Sequence, residues 1–189
     1  MRVVHVKAAV ARKPIDLSLL YFLSTAAFGA VSKRNIMNTI KYVKLSEVNT
    51  NEFLSLLNNQ KNREHLIAHE FFDPSTAKDW INSKLVVDAT CGCKVRAIIY
   101  KDQLAGWCGI QLEENKYEIA IVIDNKFWGL GKKVFSDIMC WAKELGHKGI
   151  LIHFLHTRPE YKFLKKIAKN VYETELYGSK FTTYQLVVK

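Results

Sequence analysis

The apolar positions of this chain change period several times, and the sharpest change lies within residues 117–145. Residues 118–123 are almost continuously apolar and rich in β-branched side chains, the pattern of a strand buried on both faces. Asp124 and Asn125 break the run, and Gly129 and Gly131 follow. From Lys132 the period becomes helical. Val134, Phe135, Ile138, Met139, Ala142 and Leu145 share one stripe, and Gly146 supplies the stop. The pattern predicts a buried strand, a Gly-x-Gly turn and an amphipathic helix.

The flanks divide in the same way. Residues 39–43 read as a first strand. Thr50 or Asn51 is placed to cap a helix bearing Phe53, Leu54, Leu56 and Leu57. Asp73-Pro74-Ser75 opens a second helix with Ala77, Trp80, Ile81 and Leu85 on one face. Residues 95–100 and 104–112 predict a hairpin around a short polar turn. The apolar run 150–155 is a second buried strand, joined to the first by the helix, so a βαβ crossover is expected. Pro159 falls in the first turn of a helix carrying Phe163, Leu164, Ile167, Ala168 and Val171, and residues 181–188 alternate as a terminal strand. The order β-α-α-β-β-β-α-β-α-β over residues 37–189 implies an α/β chain of mixed α+β type, with a central mixed sheet flanked by helices.

Neither glycine of the turn carries a Cβ, so the backbone there can turn tightly and approach a ligand. A helix starting at such a turn directs free N–H groups and its positive dipole end at it, here beside Lys126, Lys132 and Lys133. On these residues alone two readings stand, a phosphate site and a tight turn with solvated lysines. The dinucleotide fingerprint G-x-G-x-x-G fails at Val134, and no P-loop pattern occurs.

Lys126-Phe-Trp-Gly129-Leu-Gly131 resembles motif A of the GNAT superfamily, the acyl-CoA-dependent N-acyltransferases, usually written Gln/Arg-x-x-Gly-x-Gly/Ala. Lys126 stands where Gln or Arg is usual, which keeps a donor and loses the fork geometry. The preceding strand and the order of elements are similar as well. The resemblance implies a GNAT-like fold with splayed strands at the CoA site, and acetyl-CoA as co-substrate with no metal. It implies that the turn of Lys126, Trp128, Gly129, Leu130, Gly131 and Lys132 holds the pyrophosphate. The strand edge of Ile121, Val122 and Ile123 would hold the pantetheine arm and offer an N–H to the oxyanion. The implied reaction is direct transfer of an acetyl group to a primary amine, which requires a base. Glu118 occupies a position from which some members supply it, and Glu113 and Glu114 are alternatives. The family's usual acid is a Tyr eight residues beyond an Asn after the fifth strand. This chain has Thr157 there, then Leu164 and Lys165, so Tyr161 is the candidate acid and Tyr172 the other tyrosine nearby. The implied partners are a small-molecule or protein amine acceptor, with no membrane, for a monomer or homodimer in the cytoplasm. A CoA-binding relative with weak catalysis is the neighbouring reading.

At 189 residues and 49% apolar content, the chain is long enough for one globular domain with a sizeable core. Cys91, Cys93, Cys108 and Cys140 do not space like a secreted disulfide framework, and Cys91-Gly-Cys93 lacks a second ligand pair at zinc spacing. Free thiols are expected. His65 and His69, four apart on the first helix and without the Glu of H-E-x-x-H, read as a surface pair. The net charge of +10 admits another class, a basic nucleic-acid-binding module without cofactor. Its best candidate is the lysine-rich run 162–169 with Tyr161 and Phe163, where RNA could bind; the plainer reading is a solvated helix face.

Residues 1–36 hold six Lys/Arg against Asp16 alone, half of the chain's formal charge. Their apolar stretch 15–31 is interrupted by Asp16 and Ser18 and is short for a membrane span. A basic start followed by an apolar stretch is one form of signal peptide; the cysteine pattern favours an extension outside the fold instead. The domain is accordingly placed at 37–189, with Met37 a second candidate start. A chain beginning at Met37 is expected to keep the Tm of the full chain in a thermal melt followed by circular dichroism. A large fall in Tm would place residues 1–36 against the core.

Overall fold

Local rules account for most elements of the computed structural model, which describes residues 39–189. The extension expected at 1–36 lies outside the described residues. In chain order come β1 (Lys41–Val43), α1 (Thr50–Asn58), α2 (Gln60–Arg63), α3 (Pro74–Asp88), β2 (Lys94–Tyr100), β3 (Gln103–Glu113) and β4 (Lys116–Ile123). Then follow α4 (Gly131–Glu144), β5 (Gly149–Leu155), α5 (Lys162–Ile167), β6 (Ala168–Leu176) and β7 (Ser179–Val187). Asn49 caps α1, one residue before the two caps considered above, by accepting from the Asn51 N–H. Asp73 caps α3, with Pro74 at its first position. Three hairpins close on two-residue turns with positive φ, at Lys101-Asp102, Glu114-Asn115 and Tyr177-Gly178. Such turns match the twist of the strands that they join.

The seven strands form one sheet in the order β1-β2-β3-β4-β5-β7-β6. Every neighbouring pair is antiparallel except β4 and β5, which are parallel and joined by α4. The side chains of β3 alternate between two buried layers. Trp107 meets Trp80 of α3 edge-on at 5.3 Å, and Gln111 meets Lys84 of the same helix. On the other face Tyr42 of β1 packs edge-on against Trp141 of α4 at 4.8 Å and donates to Asp137 at 2.7 Å. Phe163 of α5 packs on Phe135 of α4. Thus α1 and α3 cover one face, and α4 and α5 the other.

The carboxy-terminal helix expected over 159–171 is not formed at that length. It is confined to Lys162–Ile167, and the chain turns directly into β6. Ile167 and Val171, which suggested a helical stripe, are exposed. Pairing of β6 along β7 through the Tyr177-Gly178 turn outweighs the local helical period. The sequence therefore hid one strand.

The β4–β5 ladder consists of two pairs, Glu118↔Leu151 and Ile119↔Ile152, and ends there. Beyond it the two strands diverge, while β4 stays in register with β3 as far as Gly106↔Ile123. Gly106 is what permits this close approach: a Cβ there would lie 2.0 Å from the Val122 carbonyl oxygen. Gly106→Ala is therefore expected to destabilise the protein by about 1–3 kcal/mol in urea denaturation, because overpacking must push β3 off β4. Unchanged stability would show that the two strands shift freely.

Candidate active site

The divergence makes a wedge whose one wall is the upper half of β4. Ile121, Val122 and Ile123 are buried there between the two helical layers. At the mouth, the Asp124 N–H donates to the Ala105 carbonyl at 2.8 Å. The Asp124 carboxylate accepts from the Lys126 N–H at 2.9 Å and from Asn59 Nδ2 at 3.3 Å, and Asn59 also donates to Asn125 Oδ1 at 2.9 Å. These bonds fasten the turn to the start of α2. The Lys126 and Lys132 side chains are exposed, and the ring of Trp128 lies 6.4 Å from that of His65. Gly129 has φ +118, a conformation that favours glycine. Gly131 lacks a positive φ and is the buried first residue of α4, so the two glycines serve different ends. Leu130, at the N-cap, supplies no side-chain acceptor. The N–H groups of the first helical turn therefore project at the turn, as helix geometry requires.

At the closed end of the wedge lies a buried polar group. Glu118 is 4% exposed, and its Oε2 is 3.1 Å from His153 Nε2. His153 Nδ1 is 2.8 Å from Thr183 Oγ1, which is 2.7 Å from Thr174 Oγ1. On the other side, Gln111 is the register partner of Glu118 and accepts from buried Lys84, whose Nζ lies 5.2 Å from the Trp107 ring centre. The β6–β7 turn reaches this face: the Tyr177 hydroxyl donates to Glu113. Burial, then that hydrogen bond and the charges of Glu113, Glu118 and Glu114, hold the Tyr177 phenol above its ordinary range.

Of the residues expected from sequence, Ile121–Ile123 and the turn 126–132 come together at the wedge and its mouth, and Glu118 lies at its apex. Tyr161 precedes α5, with its ring 4.6 Å from Phe154 in the half of β5 that has left β4. Its hydroxyl accepts from Arg158 at 3.0 Å. Tyr172 sits on β6, two strands away from β5. The expected surface pair of histidines is corrected: His65 is buried, and neither His65 nor His69 lies on a helix. In the basic run, Tyr161 and Phe163 turn inward onto Phe154 and Phe135. All four cysteines are free. No group of three or more metal-ligating side chains is gathered among the described residues, and no helix among them is long and apolar enough to cross a membrane.

Lys84, Gln111, His153, Thr183 and Tyr177 went unrecognised in the sequence. Four of them carried a signal. Each is a polar residue inside an apolar stripe or run, where burial demands a partner.

The architecture is that of the GNAT acetyltransferases. A structure described as a GNAT-family acetyltransferase of Bordetella pertussis superposes with a TM-score of 0.64 at 9% identity, over 77% of this chain and 94% of that one. The acetyltransferase yncA of Salmonella typhimurium, solved with its cofactor acetyl-CoA, gives 0.58 at 12% identity over 80% and 94%. The microcin C7 self-immunity acetyltransferase MccE, solved with acetyl-CoA and AMP, gives 0.61 at 17% identity over 79% and 92%. No protein-family model matches the sequence, and no curated protein does. The likeness is one of fold.

The turn offers a direct check. A Cβ on Gly129 would meet nothing within 4 Å, so any cost of Gly129→Ala comes from its φ alone. The variant is expected to lose about 1–3 kcal/mol in urea denaturation through that strain. Full stability would mean that the turn relaxes without effect.

Proposed function

We propose that the protein is an N-acetyltransferase of GNAT type, moving an acetyl group from acetyl-CoA to a primary amine, carried by a small molecule or a protein. The observation that carries this reading is the parting of β4 from β5 directly beneath the turn that starts α4. A strand edge released from its neighbour offers backbone N–H and C=O groups to an extended arm, as an added strand would use them. The first turn of α4 and the Lys126 and Lys132 side chains suit a pyrophosphate at the mouth of the same wedge. Acetyl-CoA, when bound, supplies an activated thioester whose acyl carbon an amine can attack. In this reading Ile121–Ile123 hold the pantetheine arm and present an N–H toward the developing oxyanion. Glu118 receives the proton from the amine nitrogen, and Tyr161 returns one to the departing sulfur. The free cysteines suit the cytoplasm. The inward packing of Tyr161 and Phe163 removes the stacking platform that the nucleic-acid alternative would use.

Titration calorimetry with acetyl-CoA tests this reading. The full chain is expected to bind one equivalent, more weakly as salt rises, because the ligand is anionic. Gly131→Val, first shown to be folded by circular dichroism, is expected to give no heat of binding. A folded Gly131→Val protein that binds like the parent would remove the turn from the site. Tight retention of tRNA at near-physiological salt by a protein without affinity for acetyl-CoA would favour the binding-module reading.

A further inference from the structure

The chain Glu118–His153–Thr183–Thr174 crosses four neighbouring strands, β4, β5, β7 and β6, on the face that bears Trp107 and Gln111. Its position is specific. Leu151 is the register partner of Glu118, so His153 stands two residues further on, where β5 has already left β4. The imidazole reaches back across the opening to the carboxylate and forward to Thr183, its own register partner on β7. Apolar residues at 153, 174 and 183 would fill this layer at lower desolvation cost.

The hydrogen assignments follow from two premises, an ionised carboxylate and a neutral imidazole. An ionised carboxylate only accepts, so at 3.1 Å His153 Nε2 must carry the proton. In a neutral ring Nδ1 is then the acceptor, and the Thr183 hydroxyl must donate into it at 2.8 Å. Thr183 Oγ1 is left to accept from Thr174 at 2.7 Å. Every hydrogen in the chain points toward Glu118. We propose that His153, locked in its Nε2–H tautomer by Thr183 and Thr174, is the positioning residue for the Glu118 carboxylate. It fixes the side-chain rotamer and stabilises the charged form that a base needs. Both ring nitrogens are engaged, so His153 acts through Glu118 rather than on the acceptor. This inference rests on the acetyltransferase reading in giving Glu118 the role of base. The tautomer lock itself does not.

The test has two arms. In the full chain without acetyl-CoA, long-range proton–nitrogen NMR of labelled histidine at about pH 8, above the ordinary histidine range, is expected to show a protonated Nε2 and a bare Nδ1 for His153. The signal is assigned by its loss in His153→Gln. Thr183→Val is expected to mix the tautomers and Thr183→Ser to keep the lock. The reverse tautomer, or a doubly protonated ring, overturns the proposal. The second arm measures thiol release from acetyl-CoA with spermidine, lysine and a short peptide as acceptors. Thr183→Val is expected to lower kcat about 10- to 100-fold with an unchanged KM for acetyl-CoA, and Thr183→Ser to stay near the parent. Should Thr183→Val fail to fold, a second pair decides: His153→Gln keeps a donor near the Nε2 position and retains most activity, whereas His153→Leu loses it. Equal rates for the members of either pair overturn the positioning role. A parent protein that binds no acetyl-CoA overturns the acetyltransferase reading, while the NMR arm still decides the lock.

Discussion

The rest of the architecture depends on the β4–β5 ladder stopping after two pairs. β4 is a predominantly apolar strand held between two helical layers, and the backbone of such a strand needs partners for its N–H and C=O groups. On one side β3 supplies them through eight register pairs, from Gly106↔Ile123 to Glu113↔Lys116. On the other side β5 supplies them only at Glu118 and Ile119. The remaining edge, along the buried residues Ile121, Val122 and Ile123, is left without a neighbouring strand among the described residues. Gly106 lets β3 approach closely enough to stay in register with β4 as far as Ile123, and Asp124 with Asn59 anchors its end. Because α4 leaves from that end, its N-terminal turn faces the mouth of the wedge.

The polar residues beneath the wedge follow a second constraint. Lys84, Gln111, Glu118, His153 and Thr183 are buried, and unpaired each would cost the full desolvation of its polar group. They are instead joined to one another: Lys84 to Gln111, Glu118 to His153, and His153 to Thr183. A satisfied network of this kind specifies one arrangement of the strands that contribute to it. It also ties the apex of the wedge to β7 and β6, beyond the two strands that form it. In the proposed chemistry the same bonds would hold the base ready.

Much of this was legible in the sequence, for identifiable reasons. The strand–turn–helix at 117–145 was visible because its hydrophobic period switches once and sharply. The cap of α3 was visible because Asp73-Pro74 is strong local chemistry. The strand β6 was hidden because its pairing with β7 is tertiary, and because Ile167 and Val171 imitated a helical stripe. The Gly-x-Gly turn was visible in the residues themselves, whereas the parting of the two strands beside it was expected only through the resemblance to the GNAT motif. The polar network could not be assembled, since its members lie on five strands and one helix and meet only through sheet register. The trace that it left was Lys84 in the stripe of Ala77, Trp80 and Ile81, and His153 in the apolar run of β5. The histidines at 65 and 69 were misplaced because spacing was read as helix across a segment in which α2 stops at Arg63.

The central claim is that the released edge of β4 is where acetyl-CoA lies. Amide hydrogen exchange, read by mass spectrometry over peptides covering residues 116–134 with and without acetyl-CoA, tests it most directly. The account predicts that added acetyl-CoA slows exchange in residues 120–123 and in the first turn of α4. Exchange across β6 and β7 should change little by comparison. Acetyl-CoA binding that leaves residues 120–134 unprotected, or that protects a different surface, would contradict it.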